Sequence, residues 1–135
     1  MSVYPGDIVV DPHKRENDID KLDNSFKIVV KDLLEKLEAA KIPLELFETT
    51  RTTVRQQMLY DKGYSKTLNS KHIGGFAVDL VYHDEKKGWS WDLKRPEVKK
   101  AYKEMVHLIL ALDNNNIRLG YSWGDWPHIE QRRTT

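Results

Sequence analysis

The run Phe76-Ala77-Val78-Asp79-Leu80-Val81-Tyr82 constrains this chain more than any other stretch. Its β-branched and aromatic residues predict a buried strand, yet a carboxylate sits in the middle of it. Alternation puts Phe76, Val78, Leu80 and Tyr82 on one face, and Ala77, Asp79 and Val81 on the other. The first face reads as core. Asp79 then points from the small-residue face into a space that has to compensate it, because a bare buried carboxylate is strongly disfavoured. A salt bridge to Lys or Arg is one form of compensation; a metal ion is another.

The rest of the chain supplies helices to cover such a strand. Over residues 20–40, Phe26, Val29, Val30, Leu33, Leu34 and Leu37 recur at helical spacing, with Asp23 or Asn24 as cap and Pro43 as stop. Pro96 opens a second long helix, in which Val98, Ala101, Tyr102, Met105, Leu108, Ile109 and Leu112 share a face until "DNNN" (113–116) ends it. "LELFETTRT" (44–52) alternates like a strand. Thr53 and Gln56 have capping-box spacing for a short helix to Asp61, with Gly63 as its stop. Residues 64–70 and 83–91 read as loops, and "IRLGYSW" (117–123) as a further strand. Residues 1–19 read as a polar surface lead-in with a short strand at 8–10, and 131–135 as a tail. With 135 residues and no repeat or linker, the expectation is a single α+β domain over 1–135, a small antiparallel sheet packed with helices.

Composition removes several classes of function. Twenty-two basic against 21 acidic residues leave a net charge of +1, so no overall basic field exists to attract nucleic acid. The chain has no cysteine, which excludes disulfides, thiol catalysis and thiolate metal sites. Nothing approaches the roughly 20 apolar residues of a membrane span. The N-terminus lacks the basic start and apolar stretch of a signal peptide. The expectation is a monomer made in the cytoplasm.

Of five histidines, two have a carboxylate at short, fixed spacing. His72 precedes Asp79, with Gly74 and Gly75 allowing a tight turn between them. His128 follows Asp125 in "DWPHIE", where Pro127 predicts an irregular or edge segment. His72, Asp79 and His128 make a three-ligand set suited to one Zn2+ ion, with a fourth position left open. Asp125 is then free to act as a base. His13 and His83 read as solvated and His107 as structural.

These residues resemble a known family. "SKHIGGFAVD" followed by "DWPHIE" matches the S-x-H-x-x-G-x-A-x-D and [DE]-x-x-H signature of the zinc D-Ala-D-Ala carboxypeptidases and L-alanyl-D-glutamate endopeptidases of bacterial cell walls, a group that includes short phage endolysins. The likeness spans about residues 45–130 and implies the hedgehog/DD-peptidase fold. It implies His72, Asp79 and His128 as zinc ligands, Asp125 as catalytic base, and Arg51 as the cation that stabilises charge on the scissile carbonyl. It places Ser70 and Gln56 near the substrate, and Glu130 suits a partner that orients His128. Trp123 and Trp126 are candidates for the cleft wall or for core.

The implied reaction is hydrolysis of a peptidoglycan stem-peptide bond by a phage or prophage endolysin-like metallopeptidase of the L-alanyl-D-glutamate type, acting on the wall after holin-type release. The alternatives are a D-Ala-D-Ala carboxypeptidase or dipeptidase of the same family, and a non-catalytic zinc-stabilised hedgehog-like binding module. A purely structural site needs neither Asp125 nor Arg51 and is normally closed by a fourth protein ligand.

Overall fold

The structure is a computed structural model that describes residues 11–112 and 116–132. The strand expected at residues 8–10 lies outside them. Among these residues, three α-helices and five strands follow the order α1 (Asn24–Ala39), β1 (Leu44–Glu48), α2 (Thr53–Asp61), β2 (Ala77–Asp84), β3 (Gly88–Ser90), α3 (Pro96–Ala111), β4 (Ile117–Leu119) and β5 (His128–Gln131). The architecture is α+β, as the strand and helix patterns predict.

Helix α1 starts where Asp23 accepts hydrogen bonds from the backbone N–H groups of Ser25 and Phe26. It buries Phe26, Val30, Leu33 and Leu37, one residue per turn, each stabilising the fold by about 1.5–3 kcal/mol. Lys41 then takes a left-handed φ of 57°, which breaks the helix before Pro43. Helix α3 has Pro96 in its first turn and buries Val98, Ala101, Tyr102, Met105, Val106 and Ile109. Both helices join Val78, Leu80, Tyr82 and Ile129 of the sheet in one core. That assigns the even-numbered face of β2 to the core and leaves Asp79 on the opposite face.

The strands form one antiparallel sheet in the order β1-β2-β5-β4, with β3 pairing the far end of β2. Asp79 pairs with His128 across β2 and β5, and with Glu48 across β1 and β2. The register shifts between Leu46 and Glu48, a bulge that turns the end of β1 toward Asp79. Gly75 takes a φ of +77° and packs so closely that a Cβ there would meet the Asp23 backbone N at 2.8 Å. The loop bearing His72 is thereby pinned to the start of α1, where the Asp23 N–H donates to the Gly75 carbonyl at 3.0 Å.

Several expectations need correction. The first strand ends at Glu48 rather than Thr52: past the bulge its last pair with β2 is Glu48 with Asp79. The cap of α2 is Thr52, whose hydroxyl accepts from the Arg55 N–H, so Thr53 and Gln56 form no capping box. Residues 83–91 are not a loop: β2 runs on to Asp84 and returns as β3 through a turn in which Gly88 has φ +75°. The strand at 117–123 stops at Leu119 and continues as a 3-10 turn, Gly120–Trp123. His128 lies on an internal strand, not an edge segment: Pro127 falls just outside β5, and its carbonyl still accepts from the Leu80 N–H at 2.9 Å. His107 is exposed on α3. The lead-in is more than a surface tail, since the carbonyls of Pro12, Glu16 and Asp18 accept from Arg55 and Thr49.

Candidate metal and catalytic site

The open face of the sheet brings His72, Asp79 and His128 together, with one ligand atom from each lying within 4.8 Å of the others. Two strands and one loop contribute. Asp79 and His128 are cross-strand neighbours, and His72 arrives on the glycine-turned loop before β2. His72 Nε2 is 3.4 Å from Asp79 Oδ2, and His128 Nδ1 is 3.3 Å from Asp79 Oδ1.

The outer ring nitrogens decide what the inner ones can do. His72 Nδ1 is 2.7 Å from the Thr49 carbonyl, which only accepts, so Nδ1 carries the proton. His128 Nε2 is 2.8 Å from Glu130 Oε1. Burial opposes ionisation of Glu130, but hydrogen bonds to His128 and Lys71 outweigh it and push its pKa down to about 2, so it too accepts. Each imidazole therefore donates outward and can turn a lone pair inward, toward Asp79. Two ligands of a tetrahedral cation with bonds of 2.0–2.1 Å stand about 3.3–3.4 Å apart. Each imidazole nitrogen stands at that distance from one oxygen of Asp79, His72 from Oδ2 and His128 from Oδ1.

Charge points the same way. Burial favours the neutral acid of Asp79, yet the charge of His72 and the hydrogen bond from His128 hold its carboxyl well below the usual range. Burial works against the proton on His128, but Asp79 and Glu130 raise its pKa to about 9. A cluster that draws a proton this strongly also favours a divalent cation, which competes for the same nitrogen. His72, Asp79 and His128 could hold one metal ion, and their nitrogen and oxygen donors are of the kind that zinc accepts.

Arg51 sits between two carboxylates. Its Nη2 lies 2.7 Å from Glu48 Oε1 and 3.7 Å from Asp79 Oδ2, while Nε donates to Glu48 Oε2 at 3.2 Å and Nη1 to Gln56 Oε1 at 2.9 Å. Glu48 would otherwise face the like charge of Asp79 across the strands, which is destabilising. A guanidinium has five N–H donors, so those three bonds leave two for other acceptors. Arg55 Nε also donates to Glu48, at 2.5 Å, which makes Glu48 a buried carboxylate shared by two arginines.

Asp125 lies in the exposed turn before β5, which closes through the His128 N–H to the Asp125 carbonyl at 3.1 Å. Gly120 makes this possible, because a Cβ there would collide with the Asp125 carbonyl and the His128 Cβ. Desolvation by the surrounding protein raises the pKa of the Asp125 carboxyl, and the negative charge of Asp79 adds to it. His128, His72 and Arg51 pull it the other way, so Asp125 is electrostatically part of the cluster.

Comparison with known proteins now bears on this geometry. No family model matches the chain. It is 28% identical over 119 residues to an L-alanyl-D-glutamate peptidase of Listeria phage A118, an alignment covering 83% of this chain and 38% of that protein. The chain thus spans well under half the length of that relative. The crystal structure of the Serratia marcescens L-Ala D-Glu endopeptidase ChiX shares the fold, with a TM-score of 0.56 and 24% identity, over 84% of this chain and 82% of that one. The chain is thus similar in sequence to an L-alanyl-D-glutamate peptidase and shares its fold with an L-Ala D-Glu endopeptidase.

The remaining expected site residues fall into two groups. Glu130 contacts His128 directly, as described. Ser70 Oγ accepts from the His72 backbone N–H at 3.2 Å and so braces the ligand loop. Gln56 differs from the expectation. It is buried, and its amide is used by Arg51, Ser65 and the Thr67 carbonyl, so it supports Arg51 rather than facing a substrate. Trp126 packs against the core, whereas Trp123 is exposed with its ring 5.7 Å from that of His128. Glu48, Thr49, Arg55 and Lys71 are contacts that the sequence reading missed. The charged repeat in "ETTRTTVR" was the available signal, but only a buried Glu48 reveals it as a network.

Proposed function

We propose that the chain is a zinc-dependent peptidase that hydrolyses a stem-peptide bond of peptidoglycan, of the L-alanyl-D-glutamate type. The observation that carries this reading is the pair of imidazoles. Each has its outer N–H held by an acceptor and its inner nitrogen aimed at Asp79. His72, Asp79 and His128 would hold the ion. Zinc in such a site supplies Lewis-acid polarisation and makes water acidic near neutral pH.

The chain's own groups account for the rest. Asp125, ionisable and on the exposed rim, takes a proton from the attacking water and returns it to the leaving amine. Arg51, held rigid by Glu48 and Gln56, presents its two uncommitted donors to the carbonyl oxygen as charge develops there. Ser70 keeps His72 in place. The described residues share one core, which supports reading 1–135 as a single catalytic domain. The phage enzyme's name supports peptidoglycan as substrate and an endolysin-like action on the wall.

The test is digestion of purified peptidoglycan by metal-replete protein, with mass spectrometry of the released fragments. New N-terminal D-glutamyl ends, absent after chelation and restored by zinc, are expected. Zinc-independent cleavage, or fragments ending elsewhere, would sink the reading.

A further inference from the structure

Arg118 lies on the same open face as the metal-site residues, one strand beyond them. It pairs with Glu130 across β4 and β5, and Glu130 shares a strand face with His128. Its side chain is 54% exposed and its guanidinium carbon lies 4.6 Å from the ring centroid of Trp123. Trp123 in turn lies beside His128. The indole face can hold the guanidinium plane at the rim without neutralising it.

Among the described residues, the other cations of this face have partners or a role: Arg51 keeps two donors, which the proposed reaction assigns to the scissile carbonyl. Glu48 engages Arg51 and Arg55, and Lys71 reaches Glu130 at 3.1 Å and the Gln131 carbonyl at 2.7 Å. Arg118 is only 4.0 Å from Glu130, whose two oxygens already serve His128 and Lys71. Its fork of donors is therefore open to an incoming carboxylate. A substrate carboxylate nearer the metal-site residues would meet the negative charge of Asp79 or Asp125, or compete with the carbonyl oxygen for Arg51.

A D-glutamyl residue has two carboxyl groups. When one forms the chain's peptide bond, the other remains an anion beside the bond to be cut. We infer that Arg118, steadied by Trp123, is the specificity-determining cation that receives this free carboxylate. The inference rests on the peptidase reading and adds to it the charge state of the preferred substrate: the free acid rather than its amide.

Two synthetic stem peptides that differ only in this group, carboxylate against carboxamide, test the assignment. Binding is measured by calorimetry on zinc-loaded Asp125→Ala protein, so that turnover does not interfere. The acid should bind roughly tenfold to a hundredfold tighter than the amide, the range of a charge-assisted hydrogen bond. Adding Arg118→Gln should remove that preference while leaving the amide's affinity unchanged, and Arg118→Lys should keep part of it. An undiminished preference in Arg118→Gln, or an equal loss for both peptides, overturns the role of Arg118. Failure of the wild-type protein to cleave either peptide overturns the peptidase reading, and this assignment with it.

Discussion

Glu130 Oε1 accepts the Nε2 proton of His128 at 2.8 Å, while its second oxygen meets Lys71 at 3.1 Å. The carboxylate thus fixes which nitrogen of His128 faces Asp79. Partners of this kind typically contribute tenfold to a hundredfold in metal affinity. Glu130→Ala should weaken zinc binding by about that factor, measured by competition with a chromogenic chelator. Glu130→Gln should lose less, since its amide oxygen still accepts. Wild-type affinity in the alanine variant would show that His128 needs no such partner.

Asp125 and His72 should separate in their effects. Asp125 makes no direct contact with either imidazole ring that would hold the site together, yet it belongs to the same electrostatic cluster. Asp125→Ala should retain zinc and lose roughly 10²–10⁴ in turnover, the usual contribution of a positioned base. His72→Ala should lose the metal itself. Elemental analysis beside fragment release from cell walls checks both, and an active Asp125→Ala protein would assign the base elsewhere.

Glu48 makes a prediction about acid stability. Burial raises its pKa, but hydrogen bonds from Arg51 and Arg55 outweigh this and lower it below 4.5. A depressed folded-state pKa contributes stability above the unfolded value, and that contribution is lost as pH falls through the folded one. Urea midpoints of the metal-free protein should therefore drop below about pH 4.5, and Glu48→Gln should flatten that limb. Glu48→Ala leaves two arginines without their shared anion and should cost about 3–5 kcal/mol at neutral pH. An acid limb of the same slope in Glu48→Gln would locate the titrating group elsewhere.

What was legible in the sequence is what periodicity and spacing encode. The buried stripes of α1 and α3 follow the 3.6-residue repeat, and every second residue of β2 (Val78, Leu80, Tyr82) joins the core, although Ala77 and Val81 beside Asp79 are buried as well. The spacing of His72, Asp79 and His128 selected three residues that the structure brings within reach of one ion. Less legible were features set by tertiary pairing. The turn around Gly88 looks like a charged loop until β3 pairs with β2. Pro127 argues for an irregular segment, but it lies one residue before the strand and donates no ladder bond there. Gln56 has the composition of a substrate contact, and only the bulge that brings Glu48 and Arg51 inward makes it a support.

Tyr102 gives a last prediction, in the core behind the site. Its hydroxyl accepts from the Tyr82 backbone N–H at 3.2 Å and is fully buried against β2. Tyr102→Phe keeps the ring but leaves that N–H without its acceptor, at a cost of about 1–3 kcal/mol. Desolvation raises the phenol's pKa to about 12, against 10.0 when free. A group with a raised folded-state pKa stabilises fully below its unfolded value, so wild-type stability should fall as pH rises from 10 toward 12. The Phe variant should lack this contribution to the alkaline decline while being less stable at neutral pH. Denaturant midpoints at neutral and alkaline pH measure both, and an unchanged neutral midpoint would mean that the Tyr82 N–H finds another acceptor.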